Sequence, residues 1–344
     1  DAAALAALVG QTRAVITTVG PYQRHGEALV TACAKAGCDY VDLCGEPAWM
    51  ARMIPELAAP AQASGARIVF SCGFDSIPFD LGVVFLQAEA MARFGLPLVQ
   101  VRGRVKTMKG GMSGGTLASA LATFEQIDRD PATAAVMADP FALTPGFRGP
   151  PQPDGDVAGY DEATGNWAGP FVMATINTKN VHRTNALRGH PWGTGFLYDE
   201  KLMTGRGATG EWAARLRAGA SRVQNALLGF APTRTLLGRF ALPQPGDGPG
   251  PAARASGHYE LRFYGHTADG RTLAVRVTGD RDPGYGSTCK MVSEAALCLL
   301  RDVDHSATPG GVWTAGAALG LALVRRLQAH AGLKFEIIEA RSDD

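Results

Sequence analysis

Residues 14–19, AVITTV, are apolar or β-branched at every position. A run without alternation predicts a strand covered on both faces, as in a parallel sheet flanked by helices. Gly20 and Pro21 end it. Over 26–36, Leu29, Val30, Cys33 and Ala34 share one helical face, and Gly37 stops the helix. The pattern then repeats: a short strand at 40–44, a helix over 47–64 with a bend expected near Pro55 and Pro60, a strand at 66–72 and a helix over 80–94. Strand and helix alternating with short connections predict an α/β, doubly wound parallel sheet.

After residue 97 the pattern changes. Residues 98–108 alternate like a half-exposed strand, and the glycine-rich KGGMSGGT of 109–116 leads into a helix. Residues 130–170, rich in Pro, Gly and Asp, read as irregular loop, and 211–228 read as helix. HYELRFYGHTADGRTLAVRVTGD, 258–280, predicts a hairpin around Asp269-Gly270. A helix follows over 285–302, and the apolar 311–330 predicts a last helix that returns to cover the first sheet. The expected organisation is residues 1–97, an α+β unit over 98–308, and a returning segment over 309–344.

Composition narrows the function. The 344 residues are 46% hydrophobic and 19% charged, enough for a large core. Lys and Arg number 33 against 32 acids, a net charge of +1, and no basic run tracks a phosphate backbone, so nucleic acid is not an expected partner. Cys33, Cys38, Cys44, Cys72, Cys289 and Cys298 form no CxxC pair, which argues against a structural metal and fits a reducing, cytoplasmic setting. The fourteen-residue apolar stretch 311–324 is too short to span a bilayer and leaves only peripheral membrane contact open. No HExxH is present, which argues against metalloproteases.

In open parallel sheets, ligands bind beyond the carboxyl ends of the strands. Three such ends place a glycine directly after a strand: Thr18-Val19-Gly20-Pro21-Tyr22, Gly45-Glu46, and Cys72-Gly73-Phe74-Asp75. Together they predict a crevice that a ligand approaches without meeting a Cβ. Glu46 reads either as a partner for the next helix N-terminus or as a ribose contact. Residue type alone favours helix capping for Asp75 and Ser76 over a carboxyl aimed into the crevice. Cys72 reads as a buried apolar thiol, with no partner base in sight. Tyr285 and Lys290 could serve as proton donor and substrate anchor, although taken singly each reads as packing or solvated charge.

Several long blocks carry a family signature: VGPYQRHGEALVTACAKAGCDYVDLCGE, CGFDSIPFDLG, SGGT, GDRDPGYGSTCKMVSEAALCLL and GGVWTAGAALG, in this order. They resemble the saccharopine dehydrogenase-like oxidoreductases, most closely the bacterial branch of trans-acting enoyl reductases, from about residue 5 to 338. The resemblance implies a Rossmann-type domain for NAD or NADP, with NADP preferred, and a second α+β domain for substrate and dimerisation. It sets Gly20, Pro21 and Tyr22 along the cofactor's ribose and nicotinamide, and Cys72, Gly73, Phe74 and Asp75 beside the nicotinamide. Ser113, Gly114, Gly115 and Thr116, with Tyr285 and Lys290, would face the substrate. It also implies a homodimer and a hydrophobic, lipid-derived acyl substrate such as a thioester. A saccharopine-type imine reductase and a dinucleotide-binding protein without catalysis stand as alternatives. Family members begin with a strand, a glycine-rich phosphate loop and a helix that this chain lacks, so about fifty to sixty further residues are expected upstream.

Overall fold

The computed structural model describes residues 1–110, 114–240 and 248–339. In chain order the strands are β1 (Ala14–Thr17), β2 (Asp39–Asp42), β3 (Arg67–Val69), β4 (Leu98–Lys109), β5 (Gly159–Asp161), β6 (Asn166–Pro170), β7 (Leu197–Gly205), β8 (His258–Thr267), β9 (Thr272–Gly279), β10 (Gly311–Trp313) and β11 (Leu333–Ile338). They form two sheets. One is parallel, ordered β1-β2-β3-β10; the other is mixed, ordered β11-β9-β8-β4-β7-β6-β5, with only β4 and β7 parallel among its pairs. The α/β class and the α+β character of the second unit follow directly.

The parallel sheet separates two cores. Tyr40, Ile68 and Phe70 pack against Met50, Met53 and Leu57 of the helix Pro47–Ser64 and Val30 and Cys33 of the helix Glu27–Ala36. Val41 and Val69 point the other way, into a core shared with the helices Ile77–Phe94 and Thr288–Arg301 and with the mixed sheet. Alternating side chains of one strand thus serve different cores, and every position of β2 and β3 is buried. The helix Ile77–Phe94 lies on β8 so closely that a Cβ on Gly82 would come within 2.4 Å of the Phe263 ring.

Four expectations change. β1 is buried only at Thr17, because it is an edge strand with no outer neighbour among the described residues. Pro47–Ser64 is one helix through Pro55 and Pro60, held by Met53, Ile54, Leu57 and Ala61 on its buried face. Residues 130–170 contain the helix Ala132–Ala138 and the hairpin β5-β6. The segment expected as one helix over 311–330 starts as β10, which extends the parallel sheet beside β3, and only then turns helical over Ala315–Ala318 and Gly320–His330. The last strand among the described residues, β11, lies at the edge of the mixed sheet.

Candidate active site at the strand ends

The carboxyl ends of β1, β2 and β3 are tied together by side chains from the segments between them. Tyr22 is buried; its hydroxyl donates to the Thr17 carbonyl (3.1 Å) and accepts from the Leu43 amide (3.1 Å). Asp42 accepts from the amides of Cys44 (2.9 Å) and Ser71 (2.8 Å) and from the Tyr40 hydroxyl (3.0 Å). Burial pushes the Asp42 carboxyl up to about 7 despite these donors. Ser71 has φ +61°, an uncommon conformation for a residue with a Cβ. Its amide on Asp42 and its hydroxyl on the Cys44 carbonyl (2.6 Å) fix that turn.

Glu46 is 2% exposed and its carboxylate is fully engaged: it accepts from the amides of Tyr22 (2.8 Å) and Gln23 (2.9 Å) and from the Ser119 hydroxyl (2.7 Å). It therefore serves the helix Tyr22–His25, not the helix that follows it in sequence, and presents no oxygen to a ribose. The Ser119 contact draws the helix Gly114–Arg129 across the strand ends, where Glu125 also meets Arg24 at 2.5 Å. Glu46→Gln should cost about 1–2 kcal/mol, because one charge-assisted acceptor is lost from a buried site. It should also speed amide exchange in Gly114–Arg129; hydrogen–deuterium exchange checks this, and unchanged protection would mean that other contacts hold the helix.

Above these ties, Thr18, Val19, Gly20 and Gly45 present exposed backbone, while Pro21 and Cys72 lie buried beneath. A Cβ on Gly45 would meet nothing within 4 Å. Gly73 is closely covered, its Cβ position 3.2 Å from Leu43 and 3.3 Å from Thr288. The Cys72 thiol is pushed up by burial and has only carbonyl neighbours, at 3.6 Å and 3.8 Å, so it stays protonated and unreactive.

Phe74 donates its amide to the Thr288 hydroxyl (3.0 Å), which joins the end of β3 to the turn Pro283–Ser287. Asp75 comes next. It is partly buried, its carboxyl has no hydrogen bond or ion pair among the described residues, and burial alone pushes it up to about 6. Neither Asp75 nor Ser76 caps the helix Ile77–Phe94 through its side chain, although residue type favours that role. Ser76 instead donates to the Asp75 carbonyl (2.7 Å) and accepts from Asn180 (2.9 Å).

Asn180 opens onto polar groups that sequence reasoning missed. Asn177, one turn earlier, donates to Glu200 (2.8 Å), which also accepts from the Tyr198 hydroxyl (2.8 Å). Burial pushes the Glu200 carboxyl up to about 8, so at neutral pH it is largely uncharged. The side-chain oxygens of Asn177 and Asn180 are buried without partners among the described residues. These acceptors on one face of the helix Ala174–Leu187 suit a water or a polar substrate group. The available signal was the run NTKNVHRTN, which reads as a solvated helix face.

Of the other predicted residues, Tyr285 is half-buried in the turn Pro283–Ser287, whose Tyr285 and Gly286 amides are held by Asp282 at 3.0 Å and 2.8 Å. Lys290 pairs with Asp280 at 3.3 Å on a half-exposed surface. Ser113 lies outside the described residues; Gly114, Gly115 and Thr116 form the first turn of Gly114–Arg129. The described residues contain no group of His, Cys, Asp or Glu able to hold a metal ion, and none of their helices is long and apolar enough to cross a membrane.

A nicotinamide dinucleotide is the cofactor suggested by the resemblance. Thr18, Val19, Gly20 and Gly45 are exposed, and a side chain at Gly45 would meet nothing, so a flat ring and its sugar could approach there. The diphosphate does not fit after β1, where Glu46 already fills the amides of the helix N-terminus.

No family model matches the sequence. Trans-acting enoyl reductases of Mycobacterium ulcerans and Mycobacterium leprae are 35% and 34% identical to it, each over 94% of this chain and 80% of the relative. A provisionally named one from Mycobacterium tuberculosis is 38% identical over the same shares. The chain belongs to the trans-acting enoyl reductase family. This family member is accordingly an oxidoreductase. Among solved structures, apo saccharopine dehydrogenase (L-Glu forming) of Saccharomyces cerevisiae aligns with it over 98% of this chain and 87% of that one, at TM-score 0.49 and 12% identity, too loosely to bear on function.

Proposed function

We propose that this protein is an NADPH- or NADH-dependent reductase of the enoyl group of a hydrophobic acyl thioester. Asp75 carries the reading. It is a carboxyl without a partner among the described residues, raised to about 6, at the carboxyl end of a parallel strand in a member of an enoyl reductase family. When bound, the dinucleotide supplies a hydride to the β-carbon of the enoyl group. Asp75, protonated, gives a proton to the α-carbon and leaves as carboxylate, then regains its proton from solvent. Asn177 and Asn180 offer their side-chain oxygens to a hydrogen-bond donor, a water or an N–H or O–H of the substrate, and Tyr22, Asp42 and Glu46 keep the strand ends rigid.

Imine reduction of a saccharopine-type dicarboxylate has less support. The buried arginines that could clamp such a substrate are committed elsewhere: Arg67 to Asp39, Arg104 to Asp161 and Asp199, and Arg183 to the carbonyls of Leu143 and Val312. The test is a titration with NADPH and NADH, followed by nicotinamide fluorescence, and then addition of a 2-enoyl thioester. Saturable binding of one dinucleotide and its oxidation by the thioester are expected. Binding without oxidation by any enoyl or keto thioester would favour a protein that keeps the fold without the chemistry.

A further inference from the structure

The helix Gly207–Gly229 is mounted with its small side inward. Its buried residues are Gly210, Ala214, Ala218 and Leu228, and a Cβ on Gly210 would fall 2.3 Å from the Gly205 carbonyl oxygen. The large apolar residues face out. Trp212, Leu216, Val223, Leu227 and Phe230, at its end, are between 41% and 67% exposed. At 100° per residue they fall within an arc of about 60°, a straight strip along nearly the whole helix. No described residue covers it. Grooves of about 370 Å³ and 560 Å³ run along its two sides, floored by Val157 and Trp167 on one and by Leu202 and Met203 on the other.

Charge decides what can lie on this strip. Arg217 flanks it on one side and Arg215 and Arg222 on the other, all exposed. Glu211, the one acid of the helix, is taken by Arg215 at 2.5 Å. Arg217 and Arg222 make no ion pair among the described residues. Two copies joined strip to strip would set guanidinium against guanidinium whichever way the helices ran, because both flanks are basic. An anionic bilayer satisfies both features at once: the apolar arc enters the acyl boundary and the arginines meet lipid phosphates.

We propose that the Trp212–Phe230 strip seats this protein on an anionic lipid surface. Flotation with phosphatidylglycerol-containing vesicles, compared with pure phosphatidylcholine, tests it. The wild type should float with the anionic vesicles, less so as salt rises, and brominated lipid should quench fluorescence that Trp212→Phe removes. Val223→Glu with Leu227→Glu should weaken partitioning at least about tenfold, as should Arg217→Glu with Arg222→Glu, with melting temperature and circular dichroism unchanged. The substituted side chains are all exposed, so folding is not at stake. Absence of flotation by the wild type, or flotation of the Val223→Glu, Leu227→Glu variant at the wild-type level, would overturn the proposal. So would light scattering that finds a dimer which this variant dissociates, since the strip would then belong to a second copy.

Discussion

Asp75→Asn is expected to lower turnover of an enoyl thioester by about 10²–10⁴-fold, the range for removing a positioned general acid, while changing KM less than about threefold. The substitution keeps the shape and removes only the proton. The pH profile gives a sharper check. With its carboxyl raised to about 6, Asp75 is protonated in growing fraction as pH falls below that value, so wild-type turnover should decline as pH rises through 6. That limb should be missing from the residual activity of Asp75→Asn. Stability follows the same proton. The folded state binds it more tightly than the unfolded chain does, so the associated stability is full below about pH 4 and is lost as pH rises through 6. Asparagine does not ionise, so the variant should gain about 1–2 kcal/mol on the wild type at pH 8, a figure discounted because the side chain is only partly buried. Turnover within about threefold of wild type would remove Asp75 from the chemistry.

Asp39→Ala should cost about 3–5 kcal/mol, measured by urea unfolding. Asp39 and Arg67 sit at the amino ends of β2 and β3, 3% and 2% exposed, joined through both carboxylate oxygens. Asp39 also accepts the Arg67 amide at 2.9 Å. The same guanidinium donates to the carbonyls of Leu299 and Val303, each at 2.9 Å, and so ties the far end of Thr288–Arg301 to the sheet. Alanine leaves a buried guanidinium with carbonyls alone to balance its charge. Removing both charges, with Asp39→Leu and Arg67→Met together, should recover a good part of the loss, because no uncompensated ion remains. Both residues lie at the end of the strands opposite the site, so dinucleotide affinity per folded molecule should not change. A loss below about 1 kcal/mol for Asp39→Ala would mean that water reaches the pair.

The local pattern of residues was enough for much of this protein. Alternation of apolar runs and helical faces located the βα repeats, because burial on both faces and burial on one face leave different periods in a sequence. Glycines after strands marked exposed turns at Gly20 and Gly45, but not at Gly73, which Leu43 and Thr288 cover. The family blocks named the class of chemistry. Three things were decided only by tertiary structure. Glu46 could have served its own helix or a sugar, and packing turned it onto the amides of Tyr22 and Gln23, which lie far back in the chain. Asp75 and Ser76 have the residue types of helix caps, yet Asn180 from a distant helix holds Ser76, and Asp75 has no partner among the described residues. The polar run of Ala174–Leu187 reads as a solvated face but is buried, because Arg183, Lys179 and Asn177 find carbonyl and carboxyl partners on separate elements. A side chain's type sets which bonds it can make, and local sequence sets the period on which it sits. Which bonds it does make depends on groups that folding brings from elsewhere, and those are written at no fixed distance along the chain.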